Sequence, residues 1–104
     1  MSDPLKPVQL TDKAALEVRN IMQHKNIPES YGLRIGMKGG GGCGAGMSYL
    51  IGFDKKKEGD LSYLEGDIPV YIEKKHMMYL IGLEVDFHEG ADARGFAFIK
   101  AEIE

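Results

Sequence analysis

The sequence predicts an α+β domain: a small mixed or antiparallel sheet with an N-terminal helix and a second short helix. An amphipathic helical run opens the chain, and several short segments of alternating apolar residues follow it. Most connections between those segments are too short for helical crossovers, which excludes a doubly wound parallel sheet.

Each element has its own signal. Residues 1–9 carry Pro4 and Pro7 and no periodicity, so they read as an extended lead-in. Thr11 suits an N-cap and Asp12 the positive end of a helix. Ala14, Leu16, Val18, Ile21 and Met22 then recur at roughly helical spacing, and Asn26 and Pro28 stop the run. Gly32 to Met37 alternates as a half-buried strand does, and Met47, Tyr49, Ile51 and Phe53 mark a second strand. A polar turn over Asp54 to Asp60 leads to a short strand at Leu61 and Tyr63. Ile68, Val70 and Ile72 form the next strand, where Pro69 points to a sheet edge. Glu73 to Ile81 reads as a short helix ended by Gly82. Leu83, Val85 and Phe87 alternate with Glu84, Asp86 and His88. Phe96 and Phe98 belong to the last strand.

Composition bounds the function. With 104 residues, the chain holds one core and no separate catalytic domain. A hydrophobic fraction of 43% with 28% charged residues excludes disorder as the default state. The formal charge of −3 offers no bulk attraction to nucleic acid or anionic lipid. No apolar run reaches the length of a membrane span, and the N-terminus lacks a signal pattern, so a cytoplasmic location is expected. No local Ser/His/Asp or Cys/His set appears, so no enzyme is expected.

The unusual feature is glycine. Six of the 14 glycines fall within residues 39–46, and they surround the lone cysteine, Cys43. A dinucleotide fingerprint fits this run formally. It fails on context, because a strand rather than a helix follows. A ligand loop fits better: glycines let several backbone N–H groups face one atom, and such groups, with Lys38 nearby, favour a thiolate. Thiolates hold iron–sulfur clusters and zinc. The plainer alternative is a hairpin turn whose cysteine is a small buried hydrophobe.

Gly32-Leu33-Arg34-Ile35-Gly36-Met37-Lys38, the glycine-rich turn with Cys43, and Ser48-Tyr49 together resemble the A-type iron–sulfur carriers, the HesB/IscA-like family. The resemblance extends to Thr11-Asp12-Lys13-Ala14-Ala15, to Lys74 through Gly82 ahead of Leu83 to Phe87, and to Gly95-Phe96-Ala97-Phe98. It spans roughly residues 8–98. It implies one HesB-like domain over 1–104 with a small β-barrel-like sheet. It also implies a homodimer or tetramer that binds iron or a [2Fe–2S] or [4Fe–4S] cluster and passes it to apo-protein clients or other assembly proteins. In that family one cysteine lies in the glycine turn and two form a Cys-Gly-Cys near the C-terminus. Cys43 matches the first, whereas Ile99-Lys100-Ala101-Glu102-Ile103-Glu104 offers no counterpart to the pair.

A thiolate-held cluster needs four ligands. Two chains supply two through Cys43. His76 and His88 are candidate additional ligands, glutathione is another, and a mononuclear site could use Asp86 or Glu84. Each histidine also has a plainer role: His76 beside Lys74 and Lys75 on a solvated face, His88 pointing to solvent, and His24 serving the C-terminal end of the first helix. The two functional readings are therefore an iron–sulfur biogenesis factor acting through Cys43, and a HesB-like fold without a cluster that binds a protein or small ligand.

Overall fold

A computed structural model describes residues 6–39, 47–91 and 93–100. The element order is β1 (Val8–Leu10), α1 (Asp12–His24), β2 (Tyr31–Gly39), β3 (Met47–Lys55), β4 (Asp60–Glu65), β5 (Ile68–Glu73), a 3-10 turn (Lys74–His76), α2 (Met77–Leu80), β6 (Leu83–Glu89) and β7 (Arg94–Lys100). The strands form two mixed sheets, β1-β6-β7 and β3-β2-β5-β4. The expected α+β class holds. The strands divide between two sheets and do not close into one barrel.

Three expectations change. The expected extended lead-in also enters a sheet, because Val8–Leu10 runs parallel to Leu83–Val85 as β1. Pro69 does not mark an edge: β5 lies between β2 and β4. The missing Pro69 N–H is tolerated because the β2 ladder begins only at Leu33↔Val70. The second helix is a single α turn preceded by a 3-10 turn.

Thr11 caps α1 as expected. Its Oγ1 accepts from the Ala14 amide at 3.1 Å and donates to Asp86 Oδ1 at 2.7 Å, which ties the helix start to β6. At the other end Ile27 N–H donates to Met22 O, and Asn26 takes φ 52°, a left-handed helix stop that asparagine tolerates. Ala14 and Val18 are buried, but Leu16 is 58% exposed. At about 100° per residue, Leu16 lies roughly 200° around the helix from Ala14 and misses the core stripe.

The core joins the helix to both sheets. Val8, Val18, Leu33, Ile35, Ile68, Val70, Ile72, Leu80, Leu83 and Val85 are all essentially inaccessible. Each such aliphatic side chain contributes about 1.5–3 kcal/mol of burial free energy. Tyr63 links the sheets where no ladder does. Its hydroxyl donates to Val8 O at 2.6 Å and accepts from Val8 N at 3.1 Å. Burial pushes its phenol well above the ordinary range. Glu65 adds an acceptor for Leu10 N at 3.0 Å.

A buried ion pair fixes the turn between β3 and β4. Arg34 Nη1 and Nη2 donate to Asp60 Oδ1 and Oδ2 at 3.2 and 2.6 Å, and Nη2 also reaches Lys55 O at 2.7 Å. Asp60 Oδ2 accepts from the Lys57 amide at 2.7 Å. The Asp60 side chain is 1% exposed.

Gly32 permits the closest approach in the four-stranded sheet. A Cβ there would stand 2.7 Å from Tyr71 Cε2 and 2.8 Å from the Pro69 carbonyl oxygen. We predict that Gly32→Ala lowers stability by about 1–3 kcal/mol, because backbone as well as side chain must move. Gly52→Ala, with nothing within 4 Å of the new Cβ, should leave stability nearly unchanged. Urea denaturation midpoints check both, and equal midpoints for the two variants would contradict the packing argument.

Candidate functional site

The candidate site is carried by the β2–β3 hairpin. The strands pair antiparallel from Tyr31↔Lys55 to Gly39↔Met47, and residues 40–46 join them. Cys43 is in that segment and lies outside the described residues. The long register has a physical basis: Leu33 and Ile35 enter the core on one face, while the other face holds Arg34, Gly36 and Lys38. Near its Gly39–Met47 end the hairpin is fastened to the other sheet. Tyr49 of β3 stacks on Phe98 of β7, with ring centroids 5.1 Å apart and planes at 27°. Phe96 meets Phe87 edge-on at 5.1 Å on the same hairpin of β6 and β7. The β3 strand that follows residues 40–46 is thus tied to both sheets.

The histidines fall in different places. His88 is on β6, its side chain 67% exposed, with Nε2 3.8 Å from Asp86 Oδ2. This matches the solvent-facing position that alternation implies. His24 Nδ1 is 2.7 Å from Asn20 O at the end of α1. His76 differs from its expected solvated position. Its side chain is only 19% exposed, and Nδ1 sits 3.3 Å from Glu73 Oε2 and against Gly36. Nothing local signals this burial, because the space is left by a glycine 40 positions earlier in the chain.

Asp86 already has structural partners. The Thr11 hydroxyl and the Phe87 amide hold its carboxyl below the ordinary carboxylate range. Among the described residues, no three His, Cys, Asp or Glu side chains group as a metal site. A metal centre in this chain therefore draws on Cys43 or on fewer than three described donors.

The family sequence model for iron–sulphur cluster biosynthesis matches residues 6–101. The chain belongs to this family. Curated relatives agree. The iron–sulfur cluster insertion protein ErpA of Glaesserella parasuis is 39% identical over 97 residues, covering 92% of this chain and 83% of the relative. ErpA of Erwinia tasmaniensis is 35% identical over 95 residues, covering 90% and 81%. Among solved structures, an Aquifex aeolicus protein superposes with a TM-score of 0.68 at 32% identity, covering 91% of this chain and 92% of that one. Escherichia coli SufA, described as involved in biosynthesis of iron–sulfur clusters, gives a TM-score of 0.75 at 23% identity, covering 95% and 84%. This last likeness concerns the fold alone. The resemblance to A-type carriers read from Gly32 to Tyr49 is borne out by family and fold together. Among the described residues, no helix of this family member is long and apolar enough to cross a membrane.

Proposed function

We propose that this iron–sulfur biosynthesis family member binds iron or a labile iron–sulfur cluster as cargo through Cys43 and delivers it to apo-proteins. The observation that carries the reading is the family match over residues 6–101, with the chain's lone cysteine in the glycine-rich connection of the β2–β3 hairpin. A glycine-rich sequence around Cys43 suits backbone N–H groups that would favour a thiolate, the form that ligates iron. A single thiolate cannot hold a cluster, so a homodimer pairing two Cys43 sulfurs is part of the proposal. A site with two protein thiolates leaves positions for exchangeable ligands, and exchange onto a client's cysteines moves the cargo. The role is that of a cytoplasmic carrier rather than an enzyme: the cluster arrives and leaves intact.

Transfer tests the proposal. Protein loaded with a 57Fe-labelled cluster should convert an apo-ferredoxin of the [2Fe–2S] type to its holo form, read by the ferredoxin's own circular dichroism in the presence of an iron chelator. Cargo that is released only to the chelator would contradict delivery.

A further inference from the structure

We propose that Glu73 and His76 form a second site, separate from Cys43, for a divalent first-row transition metal such as Zn2+ or Fe2+. Glu73 closes β5 and His76 ends the 3-10 turn that follows, so both side chains are set by adjoining regular elements. They line one cleft of about 150 Å3 with Arg34, Gly36, Met37 and Leu50.

Two observations point to a cation there. First, His76 Nδ1 is a buried nitrogen without a hydrogen-bond partner. Such an orphan is rare in a folded chain and is met by an ordered water, an ion or local strain. The carboxylate of Glu73 beside it favours a cation among these. Arg34 Nε is the other orphan among the described residues, but the rest of that guanidinium is held by Asp60 and Lys55. Second, the 3.3 Å between His76 Nδ1 and Glu73 Oε2 does not meet hydrogen-bond geometry. Two ligands about 2.0–2.1 Å from a tetrahedral metal stand roughly 3.3–3.4 Å apart. The pair already has that spacing.

Gly36 contributes the space. A Cβ at this position would have His76 Nδ1 as its near neighbour at 3.5 Å, so a larger side chain would fill the approach. The nearby cations are accommodated. Arg34 is neutralised by Asp60 and Asp54. Lys75 lies 3.8 Å from Glu73 Oε2, but its side chain is 74% exposed and free to swing into water. Lys74 is exposed. One imidazole and one carboxylate suit zinc and ferrous iron. Nδ1 is closed to solvent as it stands, so water completes the shell once the two side chains part around the metal.

The test uses the full chain carrying Cys43→Ser, so that no thiol competes for metal. Zn2+ is titrated while long-range 1H–15N spectra resolve the three imidazoles. The expected result is a saturable shift of His76 at Nδ1, with His24 and His88 unmoved at the same concentrations. Glu73→Gln, which keeps the size of the side chain and the histidine, should weaken the binding about tenfold or more. No His76 shift up to about 1 mM Zn2+, a shift at Nε2, or equal binding by the Glu73→Gln protein would overturn the site. Because Cys43 is absent throughout, none of these outcomes bears on cluster delivery.

Discussion

Arg34→Met should destabilise the fold by about 3 kcal/mol or more, because it leaves the Asp60 carboxylate buried without its counter-charge. The partner side chain is 1% exposed and cannot turn to water without opening the β3–β4 turn. In a domain of this size that loss lowers the melting temperature by roughly 12–24 °C. The double variant Arg34→Met/Asp60→Leu should recover much of the loss, since it removes the stranded charge, although Lys57 N–H then loses its acceptor. The pair also sets a pH dependence. The Arg34 hydrogen bonds, aided by the Lys57 amide, hold the Asp60 carboxyl below its ordinary value of 3.8 against the opposing effect of burial. A depressed folded-state value means that the stabilisation is fully present above the unfolded value. It fades as pH falls below about 4 toward the folded value. Thermal unfolding from pH 7 to pH 2 should therefore show a steeper acid loss in the wild type than in the double variant. Equal slopes, or a single variant as stable as the double one, would contradict this account of the turn.

What was legible in the sequence follows from the range of the forces involved. Thr11 and Asn26 bound α1 through local hydrogen bonds and local backbone preference, so their residue types suffice to place the helix. The alternation of Ile68, Val70 and Ile72, and of Leu83, Val85 and Phe87, is visible because one face of each strand is buried. The elements that escaped depend on distant partners. β1 is three residues long, too short for periodicity, and exists through its ladder with β6. Pro69 reads as an edge residue until the offset start of the β2 ladder is known. His76 reads as solvated beside two lysines until Gly36 is seen to make room for it. The pairing of Arg34 with Asp60, 26 positions apart, has no sequence signature at all. For the candidate site, Cys43 stood out by composition, while the tie between β3 and the second sheet depends on Tyr49 meeting Phe98.

Cys43→Ser should abolish cluster binding while leaving the fold unchanged. A serine hydroxyl is a far weaker acid than a thiol and does not supply the soft anionic ligand that iron–sulfur clusters require. The described residues supply a buried hydrophobic cluster from Val8 to Phe87, and the substitution leaves all of them in place. The central claim is that this one thiol carries the cargo, and anaerobic reconstitution with ferrous iron and sulfide tests it most directly. Wild type and Cys43→Ser are compared by visible absorption, Mössbauer spectra and circular dichroism. The expected result is a chromophore in the wild type, near one cluster per dimer, and none in an equally folded variant. A Cys43→Ser protein that reconstitutes as well as the wild type, or a folded wild type that takes up no cluster, would contradict the account and favour a protein-binding module.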